Sequence, residues 1–451
     1  MNAKSKEIDG SEAQGLSPAG FGSSVIVGEP LDSMAPKPLE SVMEEAVRSD
    51  CWEAAQAAVI GNRGAAGPDG MPVTALRAHL LKHGEAIKRK LLTGSYIPAA
   101  ARRVEIAKPN GGTRGLTIPN VVDRFVQQLL VQVLTPHLDP QMSASSFGFR
   151  PGRSAHDAVR QAQAYAREGY DWVVDMDLEA FFDRVNHDVL MRRLTRDVQD
   201  RRALKLINRM LSAGHVLPHG EVVRSDEGTP QGGPLSPLLS NLYLDALDVE
   251  LTKRGLRFCR YADDCNIYVG SQAARNRVLA GVSAWLSKHL KLTVHPGKSG
   301  VGRAWERKFL GFTLTLSLLI TLSGASIARY QDRVREHFDA RRSVTSIELR
   351  DGWERYVRGW WGYYRLSEDR RSIKSWEGWT RRHIRKCFWQ RWHSVKGRYR
   401  NLRQLGIDPV LARVTTSGRG AWGIARGPAM QRALSNRVLR KYRYFVPTDL
   451  S

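Results

Sequence analysis

The chain has 451 residues, 42% of them apolar, enough for two or three domains around a large core, which excludes a short peptide or a wholly unfolded scaffold. Its 69 Lys and Arg outnumber 45 Asp and Glu by a formal +24, which favours a polyanionic partner, because cations that neutralise phosphates release bound counterions. The four cysteines form no C-x2-C pair and the longest apolar run, Phe309 to Leu322, is 14 residues; a zinc or disulfide framework and a bilayer-spanning helix are therefore not expected, nor is a secretory leader, and a reducing, intracellular setting follows.

Residues 1 to about 38, rich in Gly, Ser, Pro and Ala, are expected to lack stable structure. A helical pattern begins at Val42 with Ser41 as its cap. The loop from Gly61 to Gly70 is glycine-rich but lacks the Lys-Ser/Thr of a phosphate-binding P-loop. Arg102 to Ala107 and Thr113 to Pro119 read as two strands joined at Asn110-Gly111-Gly112, with Lys108 and Arg114 at the base of the turn. From Val121 the apolar spacing is helical until Pro136 stops it.

Trp172 to Leu178 is a hydrophobic strand with acids at alternate places, so Asp175 and Asp177 share a face. Burying them is costly unless a metal ion offsets the charge; a wetted edge strand is the other solution. Glu179 to Leu194 reads as a helix. Gly228 to Pro237 is irregular, its glycines allowing close approach of backbone and its prolines stiffening it. A helix from Leu238 to about Leu251 precedes Arg260-Tyr261-Ala262-Asp263-Asp264-Cys265, a tight hairpin with two adjacent carboxylates at its tip. Two like charges there repel, and a divalent cation relieves the repulsion. Strand, helix, Gly/Pro loop, helix and acidic hairpin make an α+β unit in which three carboxylates can converge.

Residues 325–451 carry +18 of the net charge and eight of the twelve tryptophans. Leu349, Trp353, Tyr356, Val357, Trp360, Tyr363 and Tyr364 form a helical stripe among Arg350, Arg355, Arg358 and Arg365, and a second basic-aromatic stretch runs from Ile373 to Trp392. The aromatics are assigned to packing and the arginines to nucleic acid.

These segments, in this order, resemble the group II intron reverse transcriptase/maturases. Asp177 to Phe182, Gly228-Thr229-Pro230-Gln231-Gly232 and Tyr261-Ala262-Asp263-Asp264 are similar to that family's palm. Gly64 to Gly70 resembles its N-terminal extension, Ile106 to Pro119 its fingers, Ser146 to Ala155 the block that follows, and Lys308 to Phe312 its primer grip. Gly359 to Tyr364 and Arg385 to Gly406 look like its thumb, and Pro428-Ala429-Met430 with Ala433 to Asn436 look like its tail. Ala107, Gly115 and Thr117 depart from the usual fingers block, and the turn after Phe312 is apolar where relatives often carry cations.

The resemblance implies a right-hand polymerase of α+β class: a disordered segment at 1–38, an N-terminal extension at 39–100, fingers and an antiparallel palm sheet at 101–320, a helical thumb/maturase domain at 321–400 and a basic, RNA/DNA-binding tail at 401–451. It selects Asp177 over Asp175 and makes Asp177, Asp263 and Asp264 the catalytic ligands of two Mg2+ ions. It places Phe182 under the incoming sugar, Gln231 in the nucleotide pocket, and Lys108 and Arg114 on the triphosphate. Arg150, Arg153, Arg355, Arg358, Arg382, Arg385 and Lys386 are expected on nucleic acid. Implied partners are the intron RNA, an RNA template with DNA primer, target DNA and dNTPs, in the cytoplasm and with no membrane. No endonuclease module is recognised, so second-strand cleavage is not expected. A splicing-only maturase and a reverse transcriptase of a retron, diversity-generating or defence system are the alternatives; the three intact aspartates speak against the first, the basic thumb and tail against the second.

Overall fold

A computed structural model describes residues 37–107, 113–217 and 220–450. The expected disordered segment, apart from Lys37 and Pro38, and the Asn110-Gly111-Gly112 turn lie outside the described residues. Three helices, α1 (Val42–Ala46), α2 (Ser49–Gly61) and α3 (Leu76–Leu92), bury Val42, Met43, Ala55, Val59, Leu76 and Leu80 in the main core. Ser41 does not cap α1 through its side chain; the backbone N–H of Met43 donates instead to Asp200, 3.0 Å away. The fingers strands β1 (Ala101–Ala107) and β2 (Thr113–Ile118) pair antiparallel, with Arg102 opposite Ile118. Helix α4 (Val121–Leu138) runs past Pro136, which sits in its final turn where the lost N–H costs one bond only.

The palm begins with α5 (Ala155–Arg167), started by a reciprocal cap between Ser154 and Asp157. It continues through β3 (Trp172–Met176), α6 (His187–Asp197), α7 (Arg201–Ser212) and the two-residue strands β4 (His215–Val216) and β5 (Val222–Val223). It ends with α8 (Leu235–Lys253), β6 (Arg257–Tyr261), β7 (Asp264–Val269), α9 (Gln272–Leu290) and β8 (Gly300–Arg303). The sheet order is β6-β7-β3-β8 with every pair antiparallel. Helix α8 buries Leu238, Leu239, Leu242, Tyr243, Leu244 and Leu247 around its whole circumference, as an interior helix must.

The segment 179–194 is not one helix. Ala180 turns left-handed (φ 47°), Phe181–Asp183 makes a single 3-10 turn, and α6 starts only at His187, where the side chain of Asn186 accepts the N–H of Val189 at 3.0 Å. Burial of Phe181 and Val185 against the core wins over helical continuity here. The apolar run 309–322 is likewise two short strands, β9 (Phe312–Leu314) and β10 (Ile320–Leu322), with Leu316 exposed at their connection.

Beyond lie α10 (Gly324–His337), α11 (Ser346–Tyr364), α12 (Arg370–Arg391), α13 (Val395–Gln404), α14 (Pro409–Thr416), α15 (Ala421–Ile424), α16 (Pro428–Ala433) and α17 (Asn436–Lys441). Trp353 is fully buried between Tyr330 and Phe338, and Leu349 and Val357 are buried with it, so the inner part of the helical stripe is core, as its spacing predicts, while Tyr363 at its end is exposed. Residues 401–450 are not a separate tail: Leu402, Ile407, Met430, Leu439 and Tyr444 belong to the same core as Trp353, whose indole N–H donates to the Phe445 carbonyl at 2.7 Å. Thumb and palm are joined at Glu368, whose carboxylate accepts from the Gln163 amide of α5 at 2.7 Å and from the Ile320 N–H at 2.8 Å. Among the described residues no helix is long and apolar enough to cross a membrane.

Candidate active site

Tyr261 pairs directly with Asp264, leaving Ala262-Asp263 as a two-residue turn, and Ala262 takes the left-handed conformation (φ 57°) that such turns demand. The turn is held from behind. Arg260 is fully buried and bidentate to Asp248, at 2.7 and 2.6 Å, and donates also to the Ala262 carbonyl at 2.9 Å and to Asn241 at 3.0 Å. Asn241 in turn donates to the Gly148 carbonyl at 2.7 Å. Gly148 lies so close that a Cβ there would meet the Ala262 nitrogen at 2.4 Å.

The partner strand brings the remaining acids. β3 pairs with β7 so that Asp175 faces Asn266 and Met176 faces Cys265, the last pair of the ladder, and Asp177 follows one residue beyond it. The Asp177 N–H donates to the Ser299 hydroxyl at 2.9 Å and its carbonyl accepts from the His295 N–H at 2.8 Å, fixing the strand end. Burial, then the neighbouring charges of Asp175, Asp263 and Asp177, push the Asp264 carboxyl up to about 7, with Lys308 opposing. Burial also pushes Asp175 up to about 6, against Arg307. Asp264 thus senses the other three carboxylates at the tip of the sheet. Lys298 stands 3.8 Å from Asp177.

Among the described residues no three acidic, His or Cys side chains already form a metal cage. The donor chemistry nonetheless fits a hard divalent cation: anionic oxygens crowded until one is driven towards protonation, a repulsion such an ion relieves.

Beside the acids, the Gly/Pro loop is sewn to its neighbours by backbone bonds. The Thr229 N–H donates to the Phe182 carbonyl and the Gly228 N–H to that of Val185, both at 2.7 Å, while the Gln231 carbonyl accepts the N–H of Thr117 in β2 at 2.7 Å. Phe182 and Gln231 therefore line one cleft of about 580 Å³ with Leu116, Arg124 and Phe149. Gly232 (φ 129°) packs so tightly that a Cβ would sit 2.4 Å from the Thr117 carbonyl oxygen. Gly232→Ala is expected to lift the loop off β2 and cost roughly 1–3 kcal/mol, read as a lowered unfolding midpoint; an unchanged midpoint would show that the loop does not need this approach.

The remaining expected contacts divide. Lys108 lies outside the described residues, and Arg114 is placed in β2 opposite Ile106. Arg150, expected on nucleic acid, is buried instead, spending its guanidinium on Asp139 and on the carbonyls of Ser143 and Ser146. Arg385 is buried too, donating to Leu434 and Asn436, and Arg382 stacks on Trp422 at 3.9 Å while donating to its carbonyl. Both fasten residues 401–450 to α12, because a guanidinium can satisfy the protein's own carbonyl and amide oxygens. Arg153 donates to the Ala144 carbonyl at 2.5 Å and lies over Phe147. Arg355 and Arg358 are exposed and Lys386 half-buried, with Arg358 also bonded to Glu354 at 2.9 Å. Sequence reasoning gave no role to Lys298 or the Arg260–Asp248 pair and placed Lys308 in the primer-grip block, not beside the acids, where it opposes the upward push on Asp264.

An antiparallel sheet that carries its acids on a hairpin tip, beside a glycine-bounded cleft, defines the palm of a nucleic-acid polymerase. In keeping with it, residues 106–314 match the family described as reverse transcriptase (RNA-dependent DNA polymerase), and residues 327–406 match the group II intron, maturase-specific domain. The chain belongs to the group II intron reverse transcriptase/maturase family. It is 32% identical to protein YkfC of Escherichia coli (strain K12), over 52% of this chain and 71% of that one. It is 40% identical to an uncharacterized 91 kDa protein in a cob intron of Schizosaccharomyces pombe, over 49% of this chain and 35% of that one. It is 36% identical to the group II intron-encoded protein LtrA of Lactococcus lactis subsp. cremoris, over 39% of this chain and 29% of that one. The chain spans about a third of the length of these last two.

Proposed function

We propose that the protein copies RNA into DNA at the tip of its palm sheet and uses its thumb to bind the intron RNA, promoting splicing and, by priming on target DNA, intron mobility. The observation that supports this reading is the crowding of Asp175, Asp263 and Asp177 about Asp264 at the hairpin tip, with the Phe182–Gln231 cleft alongside. Asp177, Asp263 and Asp264 would hold two Mg2+ ions, which when bound supply Lewis-acid charge that activates the primer hydroxyl and steadies the departing pyrophosphate. The chain's own work is positioning. Phe182 lies under the sugar, Gln231 shapes the pocket, and Lys108 and Arg114 bind the triphosphate of the dNTP. Arg153, Arg355, Arg358 and Lys386 contact RNA backbone, and the protein works in the cytoplasm. Primer extension on an RNA template with Mg2+, run beside a splicing assay with the flanking intron, tests the two halves separately; splicing without extension would leave only the maturase.

The half-buried Phe182 ring is backed edge-on by buried Phe181 at 5.1 Å, so it would have no room to retreat from a sugar placed against it. Phe182→Ala is expected to lower discrimination against ribonucleotides roughly 10–200-fold, the range a small steric difference in a pocket carries. Unchanged selectivity in a competition between rNTP and dNTP would remove Phe182 from the pocket.

A further inference from the structure

Between α11, α12, α13 and α17 lies a cleft of about 400 Å³ that the polymerase site does not use. Phe388 and Trp392 line it from α12 and its end, Tyr442 from the end of α17, and Asn401, Gln404 and Arg350 bring polar groups to the same space. The floor is fixed: Tyr444 packs edge-on against Phe388 at 5.3 Å, and its hydroxyl donates to the Ser346 carbonyl at 3.1 Å. Tyr442 is different, standing 52% exposed at the mouth. Asn401 donates its amide N–H to the Gly397 carbonyl at 2.8 Å, which leaves its carbonyl oxygen available to a guest, and Gln404 is exposed.

The volume is that of a small-ligand pocket, and flat apolar walls with a few amide groups at the edge suit one class of guest in particular, an unstacked nucleobase. Charge points the same way. α13 and residues 436–443 flank the cleft with four Lys or Arg each and no Asp or Glu, although Arg443 is paired with Glu354, Arg440 with Asp449, and the lining Arg350 with Asp351. An apolar peptide would satisfy the walls and gain nothing from that rim, whereas a nucleotide satisfies both, its base stacking inside and its phosphates meeting the cations.

We propose that this cleft is a binding site for one flipped-out base of single-stranded RNA. It rests on the RNA-binding reading of the thumb and gives that reading a particular seat. The test uses the full chain with short single-stranded oligoribonucleotides and, separately, a blunt RNA duplex. Tyr442→Leu is expected to weaken single-strand binding by roughly 5- to 150-fold, the worth of one stacked base. Tyr442→Phe keeps the ring and is expected to restore it. Duplex affinity, thermal midpoint and primer extension are expected to stay at wild-type values, and 4-thiouridine in the single strand is expected to cross-link to Tyr442 or Trp392. Equal single-strand affinity in Tyr442→Leu and wild type overturns the pocket while leaving RNA binding by the thumb standing. An equal loss on duplex also overturns it, since charge or fold rather than a base would then be involved, as does a dimer of the wild type that Tyr442→Leu dissolves. Absence of any RNA binding by the wild type overturns both readings together.

Discussion

Asp263→Asn is expected to reduce primer extension on an RNA template by roughly 10³-fold or more, because a cation held by carboxylates supplies several kcal/mol of charge stabilisation. RNA affinity is expected to stay within about twofold, since the phosphate-binding cations lie elsewhere. The substitution keeps the size of the side chain and removes its charge. It should leave the turn in place, because what holds the turn is the Arg260 bond to the Ala262 carbonyl and the close approach of Gly148. It also removes one of the charges that press on Asp264. Extension gels and filter binding on the same preparation make the comparison; normal extension by Asp263→Asn would end the assignment of this turn to metal binding.

Asp248→Asn is expected to cost about 3–5 kcal/mol of folding stability, the usual loss when one partner of a buried ion pair is removed and the other charge stays behind. Both side chains are 0% exposed, and the two guanidinium bonds to the carboxylate are 2.7 and 2.6 Å. Asn offers one oxygen and no charge, so Arg260 would remain a cation in the core. The loss should be read as a shift in denaturant midpoint at constant slope. The hairpin hangs from the same arginine, so extension should fall at temperatures where the bulk of the palm is still folded. A midpoint within experimental error of wild type would mean that water or a rearranged neighbour replaces the carboxylate.

Much of the palm was legible because its signals are local. Alternation marked β3, the Ala-Asp-Asp tip marked the hairpin, and 3.6-residue spacing marked α11 and α12. Alternation alone could not choose between Asp175 and Asp177, which share a face; in the structure Asp175 lies within the ladder opposite Asn266, Asp177 lies one residue past its last pair, and both press on Asp264. The break at Ala180 was hidden because a strained residue leaves no periodic trace. Arg150, Arg382 and Arg385 were counted as charge, but composition cannot say whether a guanidinium meets a phosphate or the protein's own carbonyls. The packing of the tail was hidden for a related reason: its cations dominate the count, while Leu402, Met430, Leu439 and Tyr444, few and widely spaced, decide where it packs.

The shared core of residues 324–450 has a bearing on how the molecule is made. All four strands of the palm sheet have been synthesised once the ribosome reaches Arg303, whereas Trp353 lacks its bond to Phe445, and Arg381 its ion pair with Asp449, until nearly 150 more residues are added. At ribosomal speeds that interval is on the order of ten seconds. Throughout it a finished palm trails a half-built helical domain whose aromatic faces stand open to water, so the thumb is the part of the nascent chain most exposed to aggregation and most in need of a chaperone.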